Sequence, residues 1–184
     1  MRDERERALD AWLAAAARTG SRDAMGKLAE RWHGKLLRHA WRLTGDGELA
    51  ADAVQEAWAD ILRGLHGLDD TRAFAAWAFR ITSRRCQRAI SSRRRRRESE
   101  SAAALEVSWE TDSDSQSAHA DADTVRAAMA HLPPDQRAAL GLFYLEQMRV
   151  AEIAIALDTA PGTIKTRLMH ARRKLRAQLE GAKP

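Results

Sequence analysis

Cysteine is almost missing from this chain: Cys86 stands alone among 184 residues. One thiol excludes a disulfide framework and a zinc site built on four thiolates. Cys86 itself reads as a small buried residue. Long apolar runs are missing too, and nothing approaches the roughly 20 residues needed to span a bilayer. The opening stretch MRDERERALDAW carries charge in place of an apolar core, so no signal peptide is expected and the cytoplasm is the expected compartment. No segment alternates apolar and polar residues as a half-buried strand would, and no internal repeat is visible. Neither a phosphate-cradling glycine loop nor a nucleophile elbow occurs. The six histidines (33, 39, 66, 119, 131, 170) are scattered. His33 and His39 lie six apart and so do not share a helical face as metal ligands would. Asp46, Asp52 and Glu56 are explained by helix capping and a solvated face. Enzyme chemistry, metal, cofactor and small-molecule substrate are therefore not expected.

Positive charge is present, but unevenly. The net charge is +5 and the sequence pI about 10.0, a balance that favours polyanions. Arg93 to Arg97 run unbroken, and no Lys or Arg returns until Arg126. Residues 98–122 (ESESAAALEVSWETDSDSQSAHADA) are rich in Ser, Ala, Asp and Glu without a period. They read as a flexible acidic linker between domains at 1–97 and 123–184. Within it, Trp109 is a candidate anchor for a partner or for the chain's own domains.

Both domains read as helical, an all-α fold of two bundles. Leu9, Trp12, Leu13 and Ala16 mark one face of a first helix, which Thr19-Gly20 ends. Met25, Leu28, Ala29, Trp32, Leu36, Ala40 and Leu43 mark a second, closed by Gly45 as a left-handed cap. Asp46 can cap a third helix, whose stripe is Leu49, Ala50, Ala53, Val54, Ala57, Trp58, Ile61, Leu62 and Leu65. After a break at RGLHGLDDTR, where Asp70 or Thr71 can cap, a fourth helix spans about 72–92. It buries Phe74, Trp77, Ala78 and Ile81, and the arginine run extends it. Arg80, Arg84 and Arg88 stand four apart on one face of it. In the second domain Asp135 can cap a helix reaching Leu145.

The most specific signal is VAEIAIALDTAPGTIKTRLMHARRKL, a short helix, a tight turn and a second helix. This is helix-turn-helix spacing. Ala154 is small where the helices cross, Asp158 sits in the turn, and Pro161 suits a first helical position. With Ile164, Leu168, Ala171, Leu175 and Leu179 facing in, Thr163, Thr166, Met169, His170 and Arg173 face out, flanked by Lys165 and Arg167. Hydroxyls and Arg can reach base edges, and flanking cations can reach phosphate.

LPPDQRAALGLFYLEQMRVAEIAIALDTAPGTIKTRLMHARRKLRAQL resembles region 4 of bacterial sigma factors of the extracytoplasmic-function (ECF) branch. Independently, LTGDGELAADAVQEAWADILRGL resembles region 2.2, and AFAAWAFRITSRRC regions 2.3 to 2.4. The resemblance implies an initiation factor that binds core RNA polymerase and promoter DNA. Asp52, Gln55, Glu56 and Asp60 would then meet the β′ clamp helices, and region 4 the β flap. His66, Asp69, Asp70 and Thr71 would capture an unstacked −10 base, and Arg80, Arg84, Arg88, Arg93, Arg94 and Arg95 would lie along −10 DNA. Thr163, Lys165, Thr166, Arg167, His170 and Arg173 would read the −35 element. Arg84, Arg88 and Asp158 stand where many members carry Asn, Asp and Gly. The linker would thread the polymerase channel, and an anti-sigma factor is an expected partner. From the residues alone, a free-standing helix-turn-helix regulator with a dimerisation or sensor domain is the alternative.

Overall fold

The computed structural model describes residues 4–101 and 127–181. The acidic stretch from 102 onward, Trp109 and the start of the second domain lie outside the described residues. Every regular element among the described residues is helical. The order is α1 (Glu4–Arg18), α2 (Arg22–Thr44), α3 (Gly47–Gly64), 3₁₀ turns at Leu65–Gly67 and Thr71–Ala73, and α4 (Phe74–Ser101). A helical turn at 127–130 precedes α5 (Pro134–Tyr144), α6 (Val150–Ala156) and α7 (Pro161–Gly181).

Local chemistry fixes the helix ends. Ser21 accepts from the Ala24 N–H at 3.2 Å at the start of α2. Gly45, at φ 69°, closes it by donating its N–H to the Trp41 carbonyl at 2.8 Å; a Cβ would resist that left-handed turn. Asp46 then accepts from the Leu49 N–H at 2.9 Å and starts α3. Of the two caps expected after the break, it is Asp70 that serves, accepting from the Arg72 N–H. α4 continues to Ser101. Straight-chain arginines are good helix formers, and Arg94 pairs with Glu98 one turn on at 2.7 Å.

α2, α3 and α4 enclose the main core. Trp32 is fully buried, with Phe74 edge-on at 5.2 Å and Phe79 at 5.4 Å. Trp77 packs partly buried against this core, as its phase requires.

Three expectations fail in detail. Leu9 and Trp12 were expected to face inward, yet they are 41% and 65% exposed, while α1 buries Asp10, Leu13, Ala14 and Ala17. Asp10 pairs with Arg31 of α2 at 3.0 Å, and the small Ala14 and Ala17 allow close approach. That pair and those alanines set the helix rotation. Leu62 lies at the edge of its stripe and is 52% exposed. Asp135 is not the cap of α5: the helix begins at Pro134 after Pro133, and Asp135 pairs instead with Arg167 of α7 at 2.7 Å. Proline has no N–H to be capped at that first position.

The two halves pack on one another, α2 against α5 and α4 against α6, and their buried residues form one contiguous cluster. At the first contact Arg137 donates to the Arg42 carbonyl at 2.8 Å. Gly141 is needed there, because a Cβ would fall 2.6 Å from the Arg42 Cδ. Burial lowers the pKa of both arginines, and the buried Glu146 offsets part of this for Arg42. α1 also reaches the second half: Arg7 donates to Glu152 of α6 at 3.0 Å and to the Gln147 carbonyl at 3.1 Å.

Candidate polymerase and nucleic-acid interfaces

The acidic face of α3 is exposed at Asp52, Gln55 and Glu56 and half-buried at Asp60, because Ala50, Ala53, Val54, Ala57 and Ile61 take the core side. It is not an independent surface. Arg85 of α4 binds Glu56 at 2.8 Å and Asp60 at 2.5 Å, and Arg63 adds a contact to Asp60 at 2.6 Å. Burial alone would raise the Asp60 pKa, but the Arg85 and Arg63 hydrogen bonds outweigh it and hold the carboxyl below its usual value. Arg85 carries no signal in spacing, since its partners lie 25 and 29 residues earlier.

The break between α3 and α4 places His66 on the first 3₁₀ turn, Asp69 and Asp70 between the two turns, and Thr71 at the start of the second. The first three are exposed and Thr71 is half-buried. Arg18 of α1 pins the segment by donating to the Leu68 carbonyl at 2.9 Å. Asp70 is occupied by Arg72 at 2.9 Å, and that hydrogen bond holds its carboxyl low.

Along α4 the arginines divide. Arg80 and Arg84 both reach Asp158, in the helix-turn-helix turn, at 2.9 and 3.0 Å. Arg93 pairs with Asp46, the cap of α3. That hydrogen bond, with the Leu49 N–H second, holds the Asp46 carboxyl below its usual range. Arg94 holds Glu98. Arg88 and Arg95 are exposed and pair with no carboxylate among the described residues. On the buried side of α4, His39 shares a 2.9 Å hydrogen bond with Ser83, and burial pushes its pKa down to about 3. Burial also lifts the nearby Cys86 thiol to about 12, so that sulfur is a packing atom.

In the second half α6 and α7 meet at the expected turn. Asp158 takes φ 51°, and the Thr159 N–H closes the turn on the Ala154 carbonyl at 2.9 Å. Ile164, Leu168 and Ala171 are buried against Ile153, Ala154 and Ala156. Thr163, Lys165, Thr166, Met169 and Arg173 are consequently exposed. Thr166 bonds the Gly162 carbonyl at 3.1 Å, and His170 is half-buried beside Arg173 at 3.5 Å. Arg167 differs from its neighbours on α7, since it is tied to Asp135. Among the described residues no cluster of three His, Cys, Asp or Glu could hold a metal, and no helix is long and apolar enough to cross a membrane.

Comparison with known proteins agrees with both halves. The Sigma-70 region 2 family model matches residues 28–96, and the Sigma-70, region 4 model matches residues 122–175. Over 166 residues the chain is 32% identical to the ECF RNA polymerase sigma factor SigM of Mycobacterium tuberculosis, covering 90% of this chain and 82% of that protein. The chain belongs to the ECF sigma factors. As such it is an alternative sigma factor that directs transcription initiation, and the free-standing regulator reading falls away. The sigma fold is also seen in the solved structure of RpoE with the anti-sigma factor NepR from Bartonella quintana (TM-score 0.68, 23% identity, 86% of this chain and 98% of that one). It recurs in CnrH with the cytosolic domain of CnrY (TM-score 0.66, 24% identity, 95% and 99%).

Proposed function

We propose that this sigma factor divides its work between two helices. α7 reads −35 duplex with Thr163, Lys165, Thr166, His170 and Arg173, and Arg167 braces it through Asp135. The segment spanning the two 3₁₀ turns holds an unstacked −10 base with His66, Asp69, Asp70 and Thr71. α4 grips promoter backbone with Arg80, Arg84, Arg88, Arg93, Arg94 and Arg95. Single-stranded bases expose edges and faces to such a loop, whereas arginines on phosphates position DNA without choosing sequence. The observation that carries this division is the phase of α7: burial of Ile164, Leu168 and Ala171 leaves hydroxyls and cations outward.

The exposed acidic stripe of α3 docks on the β′ clamp helices of core polymerase, through Asp52, Gln55, Glu56 and Asp60, and the second half meets the β flap. The working units are residues 1–97 and 123–184, joined by 98–122 in the polymerase channel, where an acidic chain suits a basic wall. The protein acts in the cytoplasm, by binding alone, with no catalysis, metal, cofactor or small-molecule substrate. An anti-sigma factor holds it inactive; the two solved relatives above were each captured with such a regulator or with a partner's cytosolic domain.

Titration of labelled protein with core polymerase tests the docking face. Replacing Asp52, Gln55 and Glu56 together with Ala should weaken binding at least tenfold while leaving the helical signal intact. Unchanged affinity would remove α3 from the polymerase interface.

A further inference from the structure

Asp158 sits in a conformation that favours another residue. Its φ of 51° is left-handed, where a Cβ is a burden that glycine would not carry. Its carboxylate, however, leaves its own half of the molecule. Oδ1 accepts from Arg80 Nη2 at 2.9 Å. Oδ2 accepts from Arg84 Nη2 at 3.0 Å and Nε at 3.2 Å. The two arginines stand one turn apart on α4, and one carboxylate meets both, as the oxygens of a phosphate would.

We propose that Asp158 is an intramolecular stand-in for a nucleic-acid phosphate, latching the recognition turn over Arg80 and Arg84 and holding the free protein closed. The inference rests on the reading of α4 as a DNA-facing helix. Three observations carry it. The latch joins the helix-turn-helix turn directly to the α4 arginines, so one contact occupies two α4 cations and ties the α7 half to them. The same seam is closed by Arg7 on Glu152 and by Arg137 on the Arg42 carbonyl, so the carboxylate acts on halves already in register. Finally, the three side chains are 39–49% exposed, and exposed ion pairs are weak and screened by salt. Such a latch yields to a competing polyanion, which a buried pair would not. Opening is required in any case. Elements at −35 and −10 are separated by about 25 base pairs, on the order of 80 Å of duplex, whereas α4 and the turn are here in contact.

Energy transfer between dyes on Gln87→Cys of α4 and Lys174→Cys of α7, in the full chain without DNA, reads the latch. Both positions are exposed, and buried Cys86 does not compete for label. Asp158→Asn keeps a side chain that tolerates the left-handed turn and removes the charge. It should lower transfer and bind a 12-nucleotide single-stranded DNA roughly three- to tenfold tighter, the range of two exposed ion pairs. Arg84→Asp should also open the protein, and adding Asp158→Arg to it should restore transfer. Asp23→Asn makes the same charge change at the far end of α2 and should alter neither reading. Unchanged transfer in Asp158→Asn, or no restoration by the exchanged pair, overturns the latch whatever the DNA result. Opening without a gain in oligonucleotide affinity overturns the phosphate-mimic claim, together with the reading of α4 on which it rests.

Discussion

α4 and α7 are both arginine-rich, but their arginines are in different states. On α4, Arg80 and Arg84 hold Asp158, Arg85 holds Glu56 and Asp60, Arg93 holds Asp46, and Arg94 holds Glu98. On α7, Lys165 and Arg173 pair with no carboxylate among the described residues, and Arg172 lies over the Phe143 and Tyr144 rings. The cause is the neighbour. α4 packs beside acidic α3, whereas among the described residues α7 pairs with Asp135 of α5 and, within its own last turns, Arg176 with Glu180. On the proposed reading, DNA arriving at α7 meets ready cations, whereas at much of α4 it must exchange with a carboxylate. Support differs as well. α4 rests on the aromatic Trp32 and on His39, while α7 rests on α5 and on the aliphatic Ile153, Ala154 and Ala156 of α6.

The largest expected effect is on stability. Trp32→Ala under α4 should cost about 3–5 kcal/mol in denaturant unfolding, and Ile164→Ala on the inner face of α7 about 2–5 kcal/mol. A cost under about 1 kcal/mol at either site would mean that this side chain does not support its helix. Next, Arg173→Ala should lose about 1–3 kcal/mol against one −35 sequence and less against others, as read from transcript yields on a promoter series. A uniform loss would make α7 a phosphate-gripping helix like α4.

A pH test addresses the floor under α4. Burial in the folded protein pushes His39 down to about 3 from an ordinary value of 6.5. Below pH 6.5 the unfolded chain therefore binds a proton that the folded chain refuses. Stability falls as pH drops from about 6.5 toward 3, by about 1.4 kcal/mol per unit. The depressed carboxyls of Asp46, Asp60 and Asp158 contribute above about 3.8 and lose their effect only as pH falls further, so the interval from 6 to 4.5 isolates the histidine. His39→Gln should flatten unfolding free energy across it; an unchanged slope would show that His39 is not the group responsible. The smallest effect is on salt dependence. Arg88→Ala and Arg95→Ala should each reduce the slope of log affinity against log salt by about one, equally across sequences. A shift in −10 preference instead would make these arginines base readers.

Local signals are legible in the sequence. Gly45, Asp46 and Pro161 mark helix ends because each acts on backbone within four residues. The stripes of α2, α3 and α7 follow from period, apart from Leu62 at the edge of α3, and the turn at Asp158 from its place between α6 and α7. What spacing could not carry is contact at a distance. The rotation of α1 depends on Asp10 finding Arg31, the acidic stripe is shared with Arg85, and Asp158 finds Arg80 across 78 residues. Each is a pairing of charged groups that would individually read as solvated. The packing of the second half on the first, through Arg137, Gly141 and Arg42, was equally hidden.

Run-off transcription with purified core polymerase tests the central claim most directly. With the chain added, a duplex carrying matched −35 and −10 elements should yield a discrete transcript. Neither core enzyme nor the chain alone should give it, and altering either element should abolish it. Tight binding of the chain alone to that duplex, with no transcript from any promoter, would contradict the account.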